Sequence, residues 1–191
     1  MTLEQTTRAA VRITPLTAAH APAYKALRDE ALRCAPEAFT SDYATALLRP
    51  AEAYAPRLSL PAADGFFLGA WDAQGALLGS IGCEREQRAQ QRHMATVVAM
   101  MVAPRAQHRG IGQQLLQACL AQAERITGLE QLVLTVTAGN DHAVRLYQHA
   151  GFRAYGLLRR AIVVAGRGHD KLHMLCPLPS SPLWQAPHEN H

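Results

Sequence analysis

The four cysteines of this chain, Cys34, Cys83, Cys119 and Cys176, are too scattered for any C-x-x-C pair. That excludes a zinc ribbon or a redox dithiol and gives no disulfide framework, so a reducing, cytoplasmic setting is expected, with no metal. No stretch approaches the roughly 18 apolar residues of a membrane span. Met1 to Gln5 lacks the basic-then-apolar start of a secretory signal, so no membrane partner is expected. Aromatic residues make up only 6% of the chain, and no basic block is longer than Arg159-Arg160. Acids are interleaved with the bases, so the net charge of +4 does not mark a nucleic-acid surface. A positive field suits an anionic small molecule equally well. There is no internal repeat.

What is present fits one globular domain. The 191 residues are 49% apolar and 18% charged, enough to bury a sizeable core. The domain is expected over residues 1–176, with residues 177–191 as a flexible, proline-rich tail. Val11 to Leu16 alternates as an opening strand. Thr17 caps a helix that reaches about Cys34 and is ended by Pro36. Asp42 to Leu60 is helical but interrupted by Pro50 and Pro56. Gly65–Trp71 and Ala76–Gly82 form a hairpin around Asp72-Ala73-Gln74-Gly75. Glu84 to Arg92 is a solvated loop or hairpin end. Ala95 to Val102, apolar and β-branched, is a buried strand. Gln113 to Thr127 is a helix with Leu115, Leu116, Cys119, Leu120 and Ala123 on one face. A further strand, Gln131 to Thr137, precedes a helix from Asn140 to Ala150 with an Asn/Asp start and Gly151 at its end. Leu157–Val164 and Lys171–Leu175 make a last hairpin joined by Gly166-Arg167-Gly168.

Gln107-His108-Arg109-Gly110-Ile111-Gly112 joins the buried strand to the helix that follows. A helix start leaves its first N–H groups free, with the positive end of the macrodipole behind them. Glycines let an anion approach that backbone, so the turn suits a phosphate. It is neither common phosphate loop: no third glycine completes G-x-G-x-x-G, and no lysine follows for G-x-x-x-x-G-K-S/T. A turn with glycines for steric reasons alone is the plainer alternative.

Val102 to Leu116, with V-x-P followed by Q-x-x-G-x-G, resembles the acetyl-CoA-binding motif of the GNAT superfamily of N-acetyltransferases. Asn140 to Phe152 is similar to that family's N-x-x-A-x-x-L-Y-x-x-x-G-F segment, and the separation suits a helix, a strand and a loop. Together the blocks span residues 95–157. The resemblance implies an α/β GNAT fold, a mixed and mostly antiparallel sheet flanked by helices. It also implies acetyl-CoA as co-substrate and transfer of its acetyl group to a small-molecule or peptide amine. The family's D-E-x-x-M ending is matched by Asp170 to Leu175, with Lys171 where an acid is common.

The roles the resemblance implies fall on particular residues. Met101 and Val102 are expected to hold the pantetheine arm as if it were an added strand. Arg109, Gly110, Ile111, Gly112 and Gln113 are expected to cradle the pyrophosphate with backbone N–H groups, Gln107 belonging to the same motif. The Arg109 side chain either adds a charged contact or is solvated. Asn140 helps place the arm or the sulfur, a role compatible with helix capping. Such an arm needs the central strand to splay from its neighbour, the expected point being after Thr137. Tyr147 is the expected general acid toward the departing thiolate, the plainer reading being a tyrosine packed on its helix. The base is open among His93, Glu84, Glu86 and His173, with His93 favoured by its side-chain chemistry. Cys119 lies on the apolar helix face, so direct transfer in a ternary complex is expected rather than an acetyl-cysteine route. A binding module that holds acyl-CoA without turnover is the alternative function. A homodimer through the last strands is a further expectation.

Overall fold

The computed structural model describes residues 11–182. Seven strands form one sheet in the order β1-β2-β3-β4-β5-β7-β6. They are β1 (Arg12–Pro15), β2 (Gly65–Trp71), β3 (Leu77–Arg85), β4 (Met94–Val102), β5 (Gln131–Thr137), β6 (Arg153–Val164) and β7 (Arg167–Pro177). Every neighbouring pair is antiparallel except β4 and β5. A parallel pair needs a crossover, and helix α4 (Ile111–Ala123) supplies it. The mixed, mostly antiparallel sheet flanked by helices is the GNAT architecture that the sequence implies.

The other helices are α1 (Ala21–Cys34), α2 (Tyr43–Leu48), α3 (Ala55–Leu58) and α5 (Asp141–His149). Successive strand side chains point to opposite faces, so β3 reports which helix covers which face. A Cβ on Gly79 would meet Leu115 and Ile111 of α4, whereas one on Gly82 would meet the Phe67 ring. Phe67 meets Tyr24 of α1 edge-on, 6.0 Å between centroids. Thus α1 and α4 cover opposite faces of the sheet. Tyr24, Leu32, Leu115 and Leu116 are buried there. Burying each such side chain is worth about 1.5–3 kcal/mol, which sets the helices firmly against the strands.

Several boundaries differ from the sequence reading, each for a local reason. The first helix begins at Ala21, because Pro22 suits a first turn and a 3₁₀ turn, Ala18–His20, takes the residues after Thr17. The 42–60 stretch breaks at its prolines into α2, a 3₁₀ turn and α3. Helix α4 starts at Ile111, two residues early, with Gly110 itself as the N-cap. The last hairpin turns at Ala165-Gly166, both at positive φ, as a two-residue turn of the primed kind requires. Its strands are longer than expected, and β6 leaves Tyr155, Leu157 and Leu158 exposed. At the other end, Leu178 is buried and donates its N–H to the Glu130 carbonyl at 2.8 Å. The packed chain therefore continues past Pro177; residues 183–191 of the expected tail lie outside the described residues.

Candidate active site

Strands β4 and β5 stay together for only three residue pairs, Met94–Gln131, Ala95–Leu132 and Thr96–Val133. From there they part, well before the expected point at Thr137. A cleft of about 790 Å³ opens between them, walled by Thr96 to Val102 on one side and Thr135 to Thr137 on the other. The side of β4 facing β5 is thus left without a ladder partner, a row of backbone groups able to pair with an extended guest.

A bulge that no sequence signal announced bends β4 inside this cleft. Its pairing with β3 shifts register between Ser80 and Gly82, and Ala99, opposite the shift, has φ of 52°. Positive φ is uncommon outside glycine, and a bulge takes its extra residue out of the ladder. The Ser80 hydroxyl donates to the Ala99 carbonyl at 3.0 Å and braces the distortion.

The C-terminal end of β4 leads into the glycine turn. Gly110 has φ 77° and ψ 6°, the left-handed region, which lets the chain swing directly into α4. The first intrahelical bond runs from the Gln114 N–H to the Gly110 carbonyl at 3.1 Å. The N–H groups of Ile111, Gly112 and Gln113 are therefore the free donors of this helix start. All three residues line the cleft, as do Gln107, Gly110, Met101 and Val102. The Gln107 side chain also reaches back to the Val102 carbonyl at 3.4 Å, tying the turn to the strand. Arg109 is the exception within the turn: it does not line the cleft. His108 does, at φ 59°, and its ring lies 5.9 Å from that of His142 on α5.

Asn140 and Tyr147, both on or at the start of α5, line the cleft. Asn140 caps α5, its Oδ1 accepting from the Ala143 N–H at 3.1 Å. That use engages only the oxygen, so the side-chain amide hydrogens remain available toward the cleft that Asn140 lines. Tyr147 is only 6% exposed and packs edge-on against Phe152, yet it also lines the cleft. Burial, and to a lesser extent the Cys119 thiol, push the phenol well above its usual range. It therefore holds its proton at every working pH.

The candidate bases fare differently. His93 precedes β4, and its carbonyl accepts from the Glu130 and Gln131 N–H groups. It thus sits at the end where β4 and β5 are zipped together, outside the cleft. His173 lies against Tyr155 and does not line the cleft either. Glu84 is held by a two-pronged pair with Arg57. Glu86 has no ion-pair partner among the described residues, and the hydroxyl of Thr96, which does line the cleft, donates to it at 3.4 Å. Among the described residues, no Asp or Glu lines the cleft. Cys119 is buried beside Cys83, and both this contact and burial raise its thiol well above the usual range.

Lys171 shapes the far wall. The residue is 4% exposed, and its ammonium donates to the carbonyls of Glu37 and Ala38 at 3.3 and 3.0 Å and to the Thr137 hydroxyl at 2.9 Å. Burial lowers its pKa, partly offset by Glu37. The lysine thus bolts the 3₁₀ turn Pro36–Ala38 to the splayed end of β5. Lys171→Met leaves these acceptors short of a donor and is expected to cost about 1–3 kcal/mol, read as a lower denaturant midpoint at unchanged m.

Among the described residues, no group of three His, Cys, Asp or Glu is placed to hold a metal ion. No described helix is long and apolar enough to cross a membrane.

The family model described as "Acetyltransferase (GNAT) family" matches residues 24–152. Solved structures similar to the chain carry related descriptions. A GNAT-family acetyltransferase from Streptococcus pneumoniae is 24% identical, with TM-score 0.77 over 88% of this chain and 99% of that one. A GNAT phosphinothricin acetyltransferase from Sinorhizobium meliloti, solved in complex with acetyl-CoA, is 20% identical, with TM-score 0.77 over 94% of each chain. A ribosomal-protein-alanine N-acetyltransferase from Brucella melitensis is 25% identical, with TM-score 0.73 over 87% of this chain and 99% of that one.

Proposed function

The chain belongs to the GNAT acetyltransferase family, and from that premise we propose that it moves the acetyl group of acetyl-CoA to a primary amine by direct transfer in a ternary complex. The observation that supports this most is the early parting of β4 and β5, which opens a partnerless strand edge in line with a helix start. The fit to acetyl-CoA rests on both halves. The edge from Val97 to Val102 suits the amide-bearing arm, and the free N–H groups of Ile111, Gly112 and Gln113 suit the pyrophosphate. Asn140 offers its amide hydrogens to the arm. Gln107 contributes indirectly, by fixing the end of β4 against the turn, and Arg109, outside the cleft lining, is left without a role.

Acetyl-CoA supplies an activated thioester carbonyl. Tyr147, which lines the cleft and stays protonated, is the group we assign to donate to the departing sulfur. A phenol this weakly acidic acts best as a hydrogen-bond donor to developing thiolate charge, which a low-dielectric site makes effective. The incoming ammonium, ordinarily near pKa 10.4, must lose a proton. With no carboxylate among the described residues that line the cleft, Glu86 behind Thr96 is the base we assign, reached through water, in place of His93. Glu86→Gln is expected to lower kcat/KM for the amine about 10²-fold, while His93→Ala leaves it unchanged; the reverse pattern returns the assignment to His93. The buried, protonated Cys119 supports direct transfer over a cysteine-bound route.

Thiol release from acetyl-CoA in the presence of a panel of primary amines tests the proposal. Saturable, amine-dependent release supports transfer. Tight acetyl-CoA binding with no release by any amine instead favours the non-turnover binding module.

A further inference from the structure

We propose that the acceptor amine carries an anionic group of carboxylate or phosphonate geometry, as a free amino acid does, and that Arg28 binds that group. This rests on the acetyl-transfer reading and narrows its substrate. The cleft is lined by three Arg or Lys side chains, Arg28, Arg57 and Lys171, and, among the described residues, by no carboxylate. Two of the three are already engaged. Arg57 is gripped on two nitrogens by Glu84. Lys171 has three hydrogens and three acceptors, Glu37 O, Ala38 O and Thr137 Oγ1.

Arg28 is different. It is 9% exposed and, among the described residues, forms no salt bridge and makes one hydrogen bond, Nη2 to the Ser41 hydroxyl at 2.9 Å. Its Nε is buried without a partner. One helical turn earlier, the Tyr24 hydroxyl is likewise buried and unpartnered. A guanidinium has five donors in a fixed fork and cannot shed its charge, so burying one with no anion is costly. Keeping such a group at the wall of a cleft makes sense where a ligand brings the missing anion. The fork matches a carboxylate or phosphonate two bonds at a time. A polyamine or other multiply cationic acceptor meets repulsion from the same three groups. A peptide N-terminus has no carboxylate next to its amine.

The test is steady-state thiol release at saturating acetyl-CoA with L-amino acids, their carboxamides, an aminophosphonate, a polyamine and a short peptide. For at least one amino acid or aminophosphonate, kcat/KM is expected to exceed that of the matched neutral amide by about 100-fold or more. Whichever anion wins identifies its source. In Arg28→Met the preference collapses toward parity, chiefly through KM, with acetyl-CoA affinity retained, and Arg28→Lys recovers part of it. Should Arg28→Met fail to fold, competitive inhibition of the wild type by amine-free carboxylates carries the same information: inhibition supports the anion site, and its absence opposes it. Neutral amides, the polyamine or the peptide matching or beating the anionic amines would overturn this inference and leave acetyl transfer standing. No release with any amine removes both.

Discussion

Gly112→Arg is expected to lose at least about 100-fold in acetyl-CoA affinity, some 2.7 kcal/mol or more, while unfolding like the wild type. The reason lies in what surrounds Gly112. Its backbone is not in the left-handed region, so an L-residue meets no φ penalty there, unlike at Gly110. A Cβ at 112 meets the Met100 methyl at 3.2 Å, Leu146 at 3.5 Å and Val102 at 3.9 Å. Those residues all line the cleft. A long side chain leaving that point occupies the space beside the free N–H groups of α4. Gly112→Ala, by contrast, needs only a small shift of the flexible methionine tip and is expected to bind nearly as well. Titration calorimetry on the two variants, with thermal melts as the folding control, checks both parts. Equal affinity in Gly112→Arg and wild type removes the pyrophosphate cradle from the account.

Tyr147→Phe is expected to lower kcat about 10²-fold with little change in acetyl-CoA affinity. The substitution keeps the ring against Phe152 and removes only the hydroxyl, so the loss reports the proton and not the packing. Burial raises the phenol's pKa, so the hydroxyl stays protonated well into alkaline solution. Wild-type kcat is therefore expected to show no alkaline fall attributable to Tyr147 through about pH 10, its unperturbed value. Full turnover in the phenylalanine variant across that range assigns Tyr147 to packing alone. An alkaline limb near neutrality that vanishes in Tyr147→Phe contradicts the burial argument.

The glycine turn and the two helix starts that line the cleft were legible because their information is local. A glycine between an apolar strand and an amphipathic helix dictates a tight turn whatever the rest of the chain does, and Asn140 caps the helix it begins. The family resemblance of the motif, not the apolar run by itself, pointed to Met101 and Val102, and both line the cleft. The part of the cleft wall proposed to face the acceptor was not legible, because it is assembled from distant segments. Arg28 is one charged residue on a helix, and its one hydrogen bond among the described residues goes to Ser41, beyond the end of that helix. The bolt made by Lys171 joins residues more than a hundred positions apart. His93 looked apt from its side-chain chemistry alone; the parallel pairing of β4 and β5 places it at the closed end. The bulge at Ala99 left no trace, since alanine rarely signals positive φ. Hairpin lengths failed for the same reason, as β3, β6 and β7 are extended by pairing with neighbours and not by their own composition.

Amide hydrogen exchange, followed segment by segment with and without acetyl-CoA, tests the central claim that the open edge of β4 and the start of α4 form one clamp. Protection is expected to rise on Val97–Val102 and on Gly110–Gln113 together, with β6 and the zipped segment around His93 unchanged. Acetyl-CoA binding that leaves both segments exchanging as in the free protein would contradict it.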